Sequence, residues 1–79
     1  MPDNELDERV LAIVARVLRK DRAEITEDKT FEQLGADSVD AVNIVFELES
    51  EFNVAAPDDD VRKIRSIGDV TALVRKLKA

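Results

Sequence analysis

Ser38 is the hydroxyl in this chain best placed to do chemistry. It lies in the stretch Leu34-Gly35-Ala36-Asp37-Ser38-Val39-Asp40-Ala41-Val42. That stretch reads as a loop that closes on a glycine and then opens a helix. Asp37 is a good N-cap residue, because its carboxylate can accept from backbone N–H groups that a new helix leaves unpaired. Ser38 then takes the first helical position and Asp40 the third. The serine hydroxyl stands at the positive end of a helix dipole, beside free N–H donors, and that end favours a phosphate ester. Histidine and cysteine are both absent from the chain, so no general base of the usual kind is present to turn this serine into a nucleophile. No catalytic residue is expected. The serine reads as an attachment point that another enzyme modifies.

The same absences narrow the function classes. Without cysteine there is no disulfide framework, no thiolate metal site and no protein thiol for thioester chemistry. Without histidine the usual transition-metal ligand is missing too. The triplet Asp58-Asp59-Asp60 lacks the spaced oxygen ligands and glycine of an EF-hand loop, so it reads as helix-start acid and no metal site is expected. An enzyme built on this sequence would depend on carboxylates and lysines alone, and no cleft-forming spacing supports one. The net charge is −6 and unevenly placed: from Glu24 to Asp60 there are 12 acidic residues against the single base Lys29, a balance of −11, so the rest sums to +5. A nucleic-acid surface needs the opposite sign. An acidic middle suits docking against basic patches.

Positioning Ser38 falls to helices. Leu6, Val10, Ile13, Val14, Val17 and Leu18 recur at helical spacing and form one stripe of a first helix starting near Asp3 or Asn4. Glu5, Asp7 and Glu8 near its start and Arg16, Arg19 and Lys20 near its end suit the helix dipole. A long connection follows from Asp21 to Asp37, anchored by Ile25, Phe31 and Leu34. Thr30 with Gln33 has capping-box spacing, and Gly35 ends the short turn at 31–34.

A second helix runs from Ser38 to Glu51 or Phe52, with Ala41, Val45, Leu48 and Phe52 on one face and Ile44 at its margin. Asp40, Asn43, Glu47 and Glu51 form the polar face. Val39, Val42 and Phe46, beside Glu49, lie on the flank. From spacing alone these three either complete the core or present a docking surface. Pro57 starts a short third helix, with Val61 and Ile64 turned inward. The last helix begins near Ser66, with Asp69 three residues on, and buries Ile67, Val70, Leu73, Val74 and Leu77. Arg75, Lys76 and Lys78 read as solvated cations at its end. The expected fold is all-α: a four-helix bundle of three longer helices and one short third helix, with a long loop between helices one and two. Seventy-nine residues make one domain, 1–79. No apolar run approaches the ~20 residues of a membrane span, and no secretory signal stands out. A monomeric, cytoplasmic protein without membrane insertion is expected.

The run Phe31-Glu32-Gln33-Leu34-Gly35-Ala36-Asp37-Ser38-Val39-Asp40 resembles the 4′-phosphopantetheine attachment motif of acyl carrier proteins. The likeness continues through Glu47-Leu48-Glu49-Ser50-Glu51-Phe52 and Pro57-Asp58. It implies that Ser38 bears a covalent 4′-phosphopantetheine arm taken from coenzyme A, whose terminal thiol carries acyl intermediates as thioesters in fatty acid or related lipid or polyketide biosynthesis. The implied partners are a phosphopantetheinyl transferase and acyl-loading, synthase and acyltransferase enzymes with basic docking patches. Asp37, Val39, Asp40, Val42, Phe46, Glu47 and Glu49 are the expected contacts for them. Carriers of this family hold acyl chains between the helices, and Val45, Phe46, Leu48, Ile64 and Leu73 are the candidates to border such a space; all five also read as core.

The sequence also departs from bacterial fatty-acid carriers. Val39 replaces a leucine, Asn43 and Ser50 interrupt an acidic run, and Arg62 and Arg65 add positive charge to the third-helix region. The Phe-x-x-Leu-Gly-x-x-Ser spacing resembles that of polyketide and peptide carriers, whereas the Asp-Ser-Val-Asp context favours an acyl carrier. An aminoacyl or peptidyl carrier, and a non-acylated helical interaction module, are the alternatives.

Overall fold

The structure is a computed structural model that describes residues 2–78, with side chains from Glu5 onward. Among the described residues there are four α-helices: α1 (Pro2–Leu18), α2 (Ser38–Phe52), α3 (Asp58–Arg62) and α4 (Ile67–Lys78). A single 3₁₀ turn, Arg22–Glu24, interrupts the long connection. This is the all-α, four-helix architecture expected, with one short third helix. Helix α1 already includes Pro2, so it starts slightly before Asp3 and Asn4. Whether either side chain caps it lies outside the described residues.

The core forms where α1, α2 and α4 meet. Val10, Ile13 and Val14 of α1, Ile44, Val45, Leu48 and Phe52 of α2, and Ile67, Val70 and Val74 of α4 are all buried. Several placements differ from expectation. Leu11 and Ala15 of α1 are buried although outside the expected stripe, and Leu73 and Leu77 of α4 are only half-buried. Ile44 is fully buried, at the centre of the α2 face and not at its margin. Thr71, polar and outside the expected stripe, is also buried, its hydroxyl 2.8 Å from Glu27 Oε1 and 2.9 Å from the Gly68 carbonyl. Both hydrogen-bond options offset the cost of burying a hydroxyl.

The helix ends follow from local chemistry. Arg19 takes a left-handed conformation (φ 58°). The Lys20 N–H reaches the Ala15 carbonyl at 3.0 Å and the Arg19 N–H reaches Arg16 at 3.3 Å, closing α1 in a Schellman arrangement. Asn53 does the same for α2, with φ 56° and the Val54 N–H on the Glu49 carbonyl at 3.1 Å. Ser66 caps α4: its hydroxyl accepts from the Asp69 N–H at 3.2 Å, and the Asp69 carboxylate accepts from the Ser66 N–H at 3.1 Å.

The long connection is fastened more firmly than its three apolar anchors imply. Ile25 is fully buried and Phe31 nearly so, with Leu34 packed against the core. The segment 27–31 also runs alongside the start of α4. The Ile67 N–H donates to the Lys29 carbonyl and the Gly68 N–H to Glu27, each at 2.9 Å, while the Phe31 N–H donates to Arg65 at 3.0 Å. These loop carbonyls satisfy N–H groups that the first turn of α4 leaves unpaired. A Cβ at Gly68 would lie 3.1 Å from the Glu27 carbonyl oxygen, so the close approach favours glycine there.

The expected solvated cations at the end of α4 are in part tied down. Arg75 forms a two-pronged ion pair with Asp7 of α1, and Lys76 pairs with Asp60 of α3 at 3.2 Å.

Candidate functional site

Two successive capping arrangements deliver Ser38 to the surface. In the first, the Gln33 side chain accepts from the Thr30 N–H at 2.9 Å and the Thr30 hydroxyl accepts from the Gln33 N–H at 3.1 Å. The turn this opens ends at Gly35, whose φ of +73° favours a residue without a Cβ. The Ala36 N–H then returns to the Phe31 carbonyl at 2.9 Å. In the second, extended Asp37 caps α2: its carboxylate accepts from the Asp40 N–H at 2.9 Å, and the Asp40 carboxylate accepts from the Asp37 N–H at 3.2 Å. This is a capping box with aspartate at its third position. Ser38 is thereby the first residue of α2, as its spacing from Asp37 implies.

Ser38 is exposed. Among the described residues its hydroxyl has no hydrogen-bond partner. It opens onto a cleft of about 620 Å³ between the head of α2, the turn at Phe31 and α3. Phe31, Ala41, Val42, Val61 and Ile64 give the cleft an apolar lining, and Thr30, Glu32, Asp37, Arg62 and Arg65 supply its polar groups. A hydroxyl at this place is accessible to a second protein, and a chain attached to it has an apolar surface to lie against.

The other expected contact residues divide by what already holds them. Val39 (63% exposed), Val42 (38%) and Phe46 (62%) project from α2 as an outward apolar strip. Their exposure shows that they do not complete the core, the first of the two readings that spacing left open. Asp37 and Asp40 sit beside Ser38, with their carboxylates engaged in the cap. Glu47 pairs with Arg16 at 2.9 Å and Glu51 with Arg9 at 2.6 Å, so α1 partly neutralises the acidic face of α2. Arg9 also lies over the Phe52 ring, 4.7 Å from its centre. Glu49 accepts from the Ala56 N–H at 2.7 Å and holds the connector that follows α2.

The expected cargo space is not one site. Of its five candidates only Ile64 lines the cleft beside Ser38. Val45, Leu48 and Leu73 surround a separate gap of about 10 Å³ in the core, too small for more than about one water molecule. Phe46 faces outward. Helical periodicity groups these residues by face, but it does not give the depth of the space between two helices. The cleft-lining residues Phe31, Val61, Arg62 and Arg65 come from the loop, α3 and the short connection from α3 to α4. Their signal in sequence was indirect: the Phe31-to-Ser38 spacing and the basic residues after the Asp58–Asp60 triplet.

The family described as "Phosphopantetheine attachment site" matches residues 8–74 of the chain. A protein of Akkermansia muciniphila called acyl carrier protein is 37% identical over 79 residues, covering 99% of each chain. The crystal structure of an acyl carrier protein from Thermotoga maritima superposes with a TM-score of 0.82 at 31% identity, over 98% of this chain and 91% of that one. A Mycobacterium tuberculosis protein proposed to be an acyl carrier protein superposes with a TM-score of 0.84 at 35% identity, over 90% of this chain and 96% of that one.

Proposed function

The chain belongs to the acyl carrier proteins, whose phosphopantetheine attachment domain carries a 4′-phosphopantetheine arm, and we propose that in this chain Ser38 is the residue that bears it. One observation carries the assignment. Ser38 presents a hydroxyl with no partner among the described residues, at the first position of α2 and on the edge of the 620 Å³ cleft. The surrounding residues fit the group, since free helix-start N–H donors suit a phosphate ester and the apolar lining suits a long flexible chain. When bound, the arm supplies the thiol that this cysteine-free chain lacks.

Each neighbouring side chain has a role in this reading. Asp37 and Asp40 fix the head of α2, so the hydroxyl is presented in one place. Val39, Val42 and Phe46 give the transferase and the later acyl-handling enzymes an apolar contact. The uncompensated acidic charge around them draws in the basic patches of those enzymes. The chain itself is not catalytic in this reading: it offers Ser38 Oγ, while the transferase takes the hydroxyl proton and releases the nucleotide part of coenzyme A. The protein works as one carrier domain in the cytoplasm, with acyl cargo from fatty acid or related lipid or polyketide synthesis.

Intact mass after incubation with coenzyme A and a phosphopantetheinyl transferase tests the site. Wild-type protein is expected to gain one arm and Ser38→Ala none, with the two giving the same circular dichroism spectrum. An arm acquired by Ser38→Ala overturns the assignment.

A further inference from the structure

We propose that Arg62 and Arg65 form an anion clamp across the cleft that holds the phosphodiester joining the arm to Ser38. The inference rests on Ser38 being the attachment residue. Among the three bases in the 62–65 segment, Arg62 and Arg65 line the cleft that Ser38 lines, whereas Lys63 faces a different hollow beside Asp60 and Asp69. Arg9, Arg16, Arg22 and Arg75 are each paired with a carboxylate, and Arg19, without an ion pair among the described residues, follows α1 and does not line the cleft. Among the described residues neither Arg62 nor Arg65 has an ion-pair partner.

The backbone beneath Arg65 is fixed. Its carbonyl accepts from the Phe31 N–H at 3.0 Å and its N–H donates to the Asp69 carboxylate at 2.9 Å. The guanidinium therefore works from a stable base beside the Phe31 turn.

Charge gives the clamp its purpose. The other ionisable side chains lining the cleft are Glu32 and Asp37, and Asp40 stands just behind Asp37 in the cap. A phosphodiester at Ser38 adds a permanent negative charge to that group and would be repelled by it. Two guanidinium groups across the cleft offset this repulsion. Their planar forks match phosphate oxygens in a way that an ammonium does not. Holding the diester toward α3 lays the rest of the arm along Phe31, Val61 and Ile64 instead of leaving it in solvent.

The test compares backbone amide and arginine Nε–H NMR spectra before and after loading, with intact mass confirming one arm on every sample. In the wild type, loading is expected to shift the amides of Phe31, Val61 and Ile64 and the Nε–H signals of both arginines. Those shifts are expected to shrink toward ~1 M salt, where the screening length falls to about 3 Å. The double variant Arg62→Gln/Arg65→Gln is expected to load but to shift only at the head of α2. Arg62→Lys/Arg65→Lys is expected to keep part of the response. The two single glutamine variants serve if the double variant does not fold.

Loaded wild type with unmoved cleft amides, or the same shifts in the glutamine variant, overturns the clamp and leaves Ser38 standing. A wild-type chain that takes no arm overturns the attachment site and the clamp together.

Discussion

At the scale of single residues, Asp37 serves α2 in two ways that substitution can separate. Its carboxylate caps the Asp40 N–H, and its charge lies beside the hydroxyl a partner must reach. Asp37→Ala is expected to lower stability by about 1 kcal/mol through loss of the cap, a fall in melting temperature of about 4–8 °C for a domain of this size. Asp37→Ser keeps a capping oxygen and removes the charge, so it should melt near the wild type while loading more slowly. Equal loading by Asp37→Ser and wild type would show that the charge does nothing for the transferase. Asp28 carries a pH effect of its own. The Thr26 hydroxyl donates to its carboxylate and, with backbone hydrogen bonding, holds that carboxyl below the usual range. A carboxyl lowered in the folded state adds stability above its unfolded pKa, and that part is lost as pH falls through the folded value. Thr26→Val is therefore expected to raise the Asp28 midpoint toward the ordinary value in an NMR titration and to flatten the acid limb of stability.

At the scale of elements, the segment between α1 and α2 behaves as part of the core. Ile25, outside any α-helix, is as fully buried as Ile44 at the centre of α2. Ile25→Ala is expected to cost about 2–5 kcal/mol, in the same range as Ile44→Ala, read from urea unfolding midpoints. A loss under about 0.5 kcal/mol would mark the segment as a passive connection. The local devices along it were legible in sequence, because each involves residues three apart: Thr30 with Gln33, and Asp37 with Asp40. What sequence did not reveal lies far apart in the chain. The Gly68 N–H meets the Glu27 carbonyl, and buried Thr71 meets the Glu27 side chain 44 positions away. A threonine reads as a surface residue until its distant partner is known. The dispersal of the expected cargo residues has a similar cause, since periodicity fixes a face but not the separation of two faces.

At the scale of the whole molecule, the uneven charge of the sequence is partly resolved by folding. Arg9 and Arg16 of α1 lie against Glu51 and Glu47 of α2, and Lys76 of α4 against Asp60 of α3. These pairs are largely exposed, so each is worth at most about 1 kcal/mol. Their larger effect is on the shape of the field: the Arg9 and Arg16 pairs subtract from the acidic face toward the far end of α2, whereas Asp37 and Asp40 at its head have no ion-pair partner among the described residues. A partner guided by that field arrives at the helix head, where Val39 and Val42 lie, with Phe46 one turn beyond. If this strip serves docking, its most exposed side chains, Val39 and Phe46, add little to stability, and this separates docking from packing by experiment. Phe46→Asn is expected to change unfolding free energy by no more than about 0.5 kcal/mol, as at an ordinary surface site. If Phe46 anchors the partner, its loss costs more than about 1 kcal/mol of binding, and the transferase KM for this chain should rise roughly five- to tenfold. A stability loss of core size with an unchanged KM would place Phe46 in the packing of the bundle and remove it from the docking surface.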